Sequence, residues 1–142
     1  MKSKAPLTMM EQMVMLLVFA LAAALCLQAF VKSDEMSRNM EARDQAVTLC
    51  QSAAEAIRHS GGDFEKAAEI LGANVYDQDS LMIDYKEDWT PADNTMRYTL
   101  GANREESGVS GLGKAEVWVR DEANDVELFR IETAWQEVSA HG

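Results

Sequence analysis

The sequence predicts an α+β fold in which one long N-terminal helix, its first half transmembrane, packs on a small antiparallel β-sheet. Three observations predict this fold class. Residues 12–31 are an uncharged apolar run, residues 32–59 contain neither proline nor glycine, and the apolar period changes from helical to alternating after Gly72. A helical period indicates one buried helix face, and an alternating period indicates strands with one buried face.

The apolar run is predicted to cross a membrane. As a helix, residues 12–31 would span about 30 Å, which is the thickness of the hydrocarbon core of a bilayer. A cleaved secretory signal has a shorter apolar core that ends at small residues, whereas this run ends at Phe30, Val31 and Lys32. We therefore expect a retained, single-pass anchor in the cell membrane.

The charges beside the run predict its orientation. Lys2 and Lys4 precede it, so the N-terminus is expected in the cytoplasm and the C-terminal domain outside. From residue 32 onward there are 11 basic and 23 acidic side chains, a net charge of −12. Such a domain repels nucleic acid and anionic lipid, and we expect it to contact neither.

The helix is predicted to continue beyond the membrane, from Lys32 to His59, and to stop at Gly61 and Gly62. Asp63 is the expected cap of a short second helix that ends at Gly72. The apolar positions of the long helix recur at helical spacing and form one stripe that needs a cover. They are Met36, Met40, Ala42, Ala46, Val47, Leu49, Cys50, Ala53, Ala54, Ala56 and Ile57.

Four strands are predicted in the remainder of the chain. They lie at residues 81–85, 96–100, 114–120 and 126–135, with turns at residues 90–94 and 121–125 and a glycine-rich loop at residues 101–113. Short connections favour an antiparallel, four-stranded meander whose apolar face packs on the outer half of the long helix. Trp118 alternates with the apolar residues of its strand, so we expect it to cover a neighbouring strand or, alternatively, to anchor a partner.

Candidate chemical groups are few. Cys26 and Cys50 lie on one helix, roughly 36 Å apart, too far for a disulfide, and are interpreted as packing residues. His59 and His141 have no cysteine or second histidine at a zinc spacing, and residues 77–88 depart from a calcium-loop pattern. Residues 108–113 read as a turn rather than a phosphate loop. We expect no metal, no cofactor and no enzymatic activity.

The stretch "LTMME", residues 7–11, resembles the start of the mature chain in type IV pilins and in the pseudopilins of type II secretion systems. In that family a short basic leader precedes an apolar or aromatic residue, Thr, two apolar residues and Glu. The corresponding residues here are Leu7, Thr8 and Glu11. The resemblance implies a leader (residues 1–6), a transmembrane half-helix (7–31), an amphipathic half-helix (32–60) and a small head with an antiparallel sheet (61–142).

The resemblance also implies a function. The chain would be a non-enzymatic structural subunit of a type IV pilus, a type II secretion system or a DNA-uptake filament, and its leader and small head indicate a minor subunit. Its expected partners are membrane lipid, other pilin-like subunits, the inner-membrane assembly machinery and a prepilin peptidase. Cleavage would fall between Pro6 and Leu7, although the family has Gly or sometimes Ala at the position of Pro6; a cut after Ala5 is the alternative.

Two interpretations of Glu11 remain open at this point. In a pilin-like filament, its carboxylate would pair with the amino group that leader cleavage creates on a neighbouring subunit. Alternatively, Thr8 caps the helix and Glu11 bonds back to the Thr8 amide, as in the S/T-x-x-E capping box. The second case suits a different class of protein, a membrane-tethered extracytoplasmic binding module that forms no filament.

Overall fold

The computed structural model describes residues 4–138. The chain divides into two compact units, residues 1–40 and residues 41–142. Two helices and five strands follow one another along the chain: α1 (Ala5–His59), α2 (Phe64–Leu71), β1 (Val75–Tyr76), β2 (Ser80–Tyr85), β3 (Tyr98–Glu105), β4 (Leu112–Asp121) and β5 (Val126–Gln136).

In the first unit, α1 begins at Ala5, before Thr8, which is the helix start that the capping-box interpretation requires. Pro6 lies in the first turn, where its missing N–H would have no intrahelical acceptor, so the helix tolerates it. Every described side chain from Lys4 to Met40 is exposed. This surface includes the whole of the predicted membrane run.

The end of α1 and the start of α2 lie where their local sequence predicts. At the end of α1, Gly61 N–H donates to the Arg58 carbonyl and Gly62 N–H to the Ile57 carbonyl, each at 3.0 Å. These two glycines have φ of +63° and +85°, the left-handed conformation that this C-terminal motif needs. Asp63 then caps α2, because its Oδ1 accepts hydrogen bonds from the first-turn N–H groups of the helix.

The sheet is an antiparallel meander of five strands in the order β1-β2-β3-β4-β5, so the prediction of four strands is wrong by one. The missed strand β1 has only two residues, Val75 and Tyr76, whose side chains are both exposed. Such a short strand has no alternation that a sequence pattern could reveal.

The predicted boundaries of β3 and β4 also differ from those of the structure. β3 starts at Tyr98 and leaves Met96 outside the sheet, 58% exposed. The glycine-rich loop is shorter than expected, because β3 continues to Glu105 and β4 starts at Leu112. Gly101 and Gly113 therefore belong to strands, where each supplies the space for a tryptophan ring: a Cβ on Gly101 would lie 2.3 Å from Trp118, and one on Gly113 2.2 Å from Trp135.

The core of the second unit lies between the outer part of α1 and one face of the sheet. Ala46, Cys50 and Ala53 are fully buried on α1, and their small side chains allow the helix to lie close to the strands. Their largest buried partners are Phe64, Ile57, Leu81, Leu100, Val117 and Val119. A long apolar N-terminal helix with an antiparallel sheet packed against it is a pilin-like architecture.

Candidate functional site

The exposed N-terminal part of α1 is the first candidate site. Its apolar side chains are largely accessible, for example Leu7 (75%), Phe19 (73%) and Phe30 (74%). The helix is long and apolar enough to cross a membrane, and none of its most apolar 18-residue window is buried. So large an exposed apolar surface needs lipid or other protein as a cover.

The residues singled out from the pilin resemblance lie in the first two turns of this helix. Thr8 donates from both its N–H and its hydroxyl to the Lys4 carbonyl, at 3.1 Å in each case. Thr8 is therefore inside the helix and does not cap it, so the capping-box interpretation of Glu11 is wrong. Pro6 and Leu7, the proposed cleavage position, are both helical.

Glu11 is exposed and makes no ion pair with any residue between 4 and 138. It lies four residues after Leu7, so the two side chains share one helix face. Lys2, which contributes to the predicted orientation, lies outside the described residues, as does His141. A carboxylate next to an apolar run is costly once it enters the membrane, unless it is paired with another group.

The methionines Met36 and Met40 extend the apolar surface of α1 past Lys32, the predicted end of the membrane run. They are 60% and 59% exposed, whereas later positions of the same stripe, among them Ala46, Cys50 and Ala53, are buried against the sheet. The stripe predicted from the sequence is thus covered over only part of its length.

The two cysteines are both free thiols but differ in environment: Cys26 is exposed and Cys50 is buried. Cys50 is a packing residue, as predicted. Burial raises the pKa of its thiol from 9.0 to about 12, with a smaller contribution from the negative charge of Glu127. A thiol with this pKa stays protonated and unreactive at neutral pH.

The sheet face opposite the core carries paired charges around Trp118. Lys114 contacts Glu132 at 3.0 Å and Glu105 at 3.2 Å, and Arg130 contacts both Glu116 and Glu127. The hydrogen bond to Glu132, followed by that to Glu105, raises the pKa of Lys114. The Trp118 ring lies over Gly101 of the adjacent strand, which confirms that it covers a neighbouring strand.

A junction around Arg104 was missed by the sequence analysis, which placed this residue in a loop. Arg104 donates to the Gly62 carbonyl at 2.7 Å and pairs with Asp79 at 3.0 Å and Glu137 at 2.9 Å. Its guanidinium also lies 5.5 Å from the Trp135 ring centroid. One side chain thus joins the α1–α2 loop, the β1–β2 turn and the residues after β5. The alternation of Leu100, Ala102 and Arg104 in the sequence could have indicated that β3 continues as far as Arg104.

The other residues considered in the sequence do not form a candidate site within residues 4–138. His59 is exposed at the end of α1, and residues 4–138 hold no group of three or more His, Cys, Asp or Glu side chains that could bind a metal ion. The segment read as a turn, residues 108–113, contains Gly108 and Gly111 at positive φ before β4 begins its pairing.

No protein-family model, no curated protein and no solved structure matches the chain.

Proposed function

We propose that the chain is a minor pilin-like or pseudopilin-like structural subunit of a type IV pilus, a type II secretion system or a DNA-uptake filament. One observation carries this proposal: the apolar stripe of α1 stays exposed at Met36 and Met40, beyond the predicted membrane boundary at Lys32. A helix that only anchors a domain needs apolar residues inside the bilayer alone. Apolar residues on its aqueous side are better explained by packing against other helices.

The proposed mechanism is mechanical. Before assembly, the apolar half of α1 holds the subunit in the membrane. During assembly, contacts with equivalent helices of other subunits replace the contacts with lipid. Glu11 neutralises the new N-terminal amine of a neighbouring subunit, which fixes the register between the two helices. This role is supported by the exposure of the Glu11 side chain, which makes no ion pair within residues 4–138.

The intact mass of the protein, extracted from the membrane of its native host, tests whether the leader is removed. A mature chain that begins at Leu7 is expected. A chain that retains Met1 or Lys2 would leave Glu11 without its proposed amine partner and would contradict the mechanism.

Substitution of Glu11 tests the carboxylate itself. We expect the Glu11→Gln variant to be absent from sheared filaments and from crosslinked assemblies. The amine of the neighbouring subunit would lose its counter-charge in a low-dielectric environment. Glu41→Gln is the matched control, since Glu41 lies on the same helix and is also exposed. Normal assembly of Glu11→Gln would refute the role given to Glu11.

A second candidate function is favoured by Pro6, which occupies a favourable place in the first turn of α1 and departs from the family at the cleavage position. In this alternative the chain is an uncleaved, single-pass tether for a binding domain. Replacing residues 9–31 by an unrelated apolar helix separates the two candidates. The tether keeps its function after the exchange, whereas the filament subunit loses it.

A further inference from the structure

The exposed apolar stripe of α1 beyond the membrane run depends on two side chains. Between Lys32 and Glu41 the sequence contains no apolar residue except Met36 and Met40. These two residues are four positions apart on α1, so they lie on the same face of the helix, and both are exposed. A chemical change confined to this methionine pair would therefore remove the apolar surface of the whole stretch.

Methionine differs from other apolar side chains because its thioether sulfur can be oxidised. The product, methionine sulfoxide, is polar, and methionine sulfoxide reductases convert it back to methionine. Leucine has a similar volume and apolar character but does not undergo this reaction. The residue type at positions 36 and 40 thus makes the apolar surface reversible, which leucine at the same positions would not do.

The core of the head would not be affected by the same oxidant. Its buried cluster consists of aliphatic and aromatic side chains and Cys50, and no methionine of residues 4–138 belongs to it. The methionines of the head are Met82 and Met96, and both are exposed. Oxidation of either would add a polar group at the surface, where water solvates it, so the fold of the head does not depend on a reduced methionine.

The two thiols do not compete with the methionine pair on this side of the membrane run. Cys50 is buried, and burial raises the pKa of its thiol to about 12, so the reactive thiolate is absent at neutral pH. Cys26 lies inside the predicted membrane run. After Lys32, the exposed sulfur-containing side chains of the described chain are those of Met36, Met40, Met82 and Met96.

We propose that Met36 and Met40 form an oxidation site through which a hydroperoxide reversibly controls assembly of the subunit. This inference rests on the proposed function, because it requires the methionine pair to pack against equivalent helices. Oxidation introduces a polar sulfoxide oxygen at each position. Packing of the oxidised helix would remove these oxygens from water without a hydrogen-bond donor to replace it, which is unfavourable.

The reaction is a transfer of one oxygen atom to each Sδ atom. A lone pair of the sulfur attacks one peroxide oxygen, the sulfur–oxygen bond forms and the oxygen–oxygen bond breaks. With hydrogen peroxide, the second oxygen leaves as water. The sulfur is oxidised by two electrons, and the peroxide is reduced by the same two electrons.

The first test follows the full-length chain in its native host, synthesised with or without sublethal hydrogen peroxide. Peptide mass mapping should show one added oxygen atom on each of Met36 and Met40. The fraction of the chain in crosslinked assemblies should fall about tenfold or more, since two apolar contacts become polar. Unchanged assembly of a chain oxidised at both residues, or no oxidation of either residue, overturns the inference and leaves the proposed function intact. Absence of assemblies without peroxide overturns both.

A matched pair of double variants locates the effect. Met36→Leu with Met40→Leu removes the reactive sulfur atoms of the stripe, and Met82→Leu with Met96→Leu removes those of the head. Each variant is compared with its own untreated sample, which also corrects for general damage by peroxide. The first variant should lose the sensitivity of assembly to peroxide, and the second should keep it. Equal sensitivity of the two variants overturns the assignment to the methionine pair.

A final measurement separates control of assembly from damage to the fold. The purified full-length chain is oxidised in detergent, and thermal unfolding is followed by circular dichroism. Oxidation should leave the Tm of the head unchanged, because its core contains no described methionine. Incubation with methionine sulfoxide reductases, one for each sulfoxide epimer, should remove both added oxygen atoms. A lower Tm after oxidation, or sulfoxides that resist reduction, would contradict a reversible switch at Met36 and Met40.

Discussion

Gly113 offers the sharpest test of how the head is packed. It lies in β4, and a methyl group built on it would lie 2.2 Å from Cε2 and 2.3 Å from Nε1 of the Trp135 ring. Non-bonded carbon atoms prefer separations of about 3.5–4.0 Å. The Gly113→Ala substitution therefore requires the Trp135 ring to move by more than about 1 Å.

The ring has little room for this movement. Trp135 is only 6% exposed, its edge meets Phe64 at a centroid distance of 6.5 Å, and Gly62 lies against the same ring. Overpacking a rigid core costs about 1–3 kcal/mol, and we expect Gly113→Ala to lie near about 3 kcal/mol. For a head of about 100 residues, this corresponds to a decrease in Tm of about 12 °C or more.

The assay is thermal unfolding of the full-length chain in detergent, followed by near-UV circular dichroism, which reports the packing of tryptophan rings. Gly101→Ala is the matched control, because its methyl group would meet Trp118 on the solvent-facing side of the sheet. Trp118 can move outward, so we expect a loss of about 1 kcal/mol or less. A Tm for Gly113→Ala equal to or above that of Gly101→Ala would refute this description of the core.

Three further predictions concern single side chains of the second unit. Arg104→Lys keeps the charge but loses the fixed guanidinium geometry, and should lower the free energy of unfolding in urea by about 1–2 kcal/mol; no change would disprove the junction. Asp63→Ala removes the cap of α2 and should cost about 1 kcal/mol, whereas Glu65→Ala, the control on the same turn, should cost less. Because burial raises the pKa of the Cys50 thiol from 9.0 to about 12, its stabilising effect is fully present below pH 9 and is lost as pH rises towards 12. Unfolding free energies of wild type and Cys50→Ala should therefore differ by a constant amount below pH 9, with the wild type losing more stability above it; parallel curves up to pH 12 would contradict this.

Local signals explain which elements the sequence could predict. Gly61, Gly62 and Asp63 specify a helix end and a helix start through their own backbone and side-chain hydrogen bonds, so neighbours in the sequence suffice to place them. The buried residues of α1 from Ala46 to Ile57 follow the helical period. The antiparallel order of the sheet follows from short connections.

Distant contacts explain what the sequence could not predict. Gly101 and Gly113 look like loop residues, because the tryptophan rings that occupy the space above them come from strands further along the chain. The capping-box interpretation of Glu11 was wrong because Lys4 provides an acceptor for Thr8 one turn earlier. The partner of Glu11 is proposed to be another chain, and only the resemblance of residues 7–11 to pilins points to it.

The position of Trp135 in β5, the last strand of the sheet along the chain, has a consequence for the order of synthesis. Its ring contacts both Gly62, in the loop after α1, and Gly113, in β4, and these two segments reach their final environment only when β5 is present. While the chain is still being made, the end of α1 has no ring to pack against and the apolar sheet face is incomplete. The head thus closes only after β5 has been made, when the N-terminal part of α1 has long left the ribosome, and a chain truncated before residue 126 would expose the interior of the head rather than yield a smaller domain.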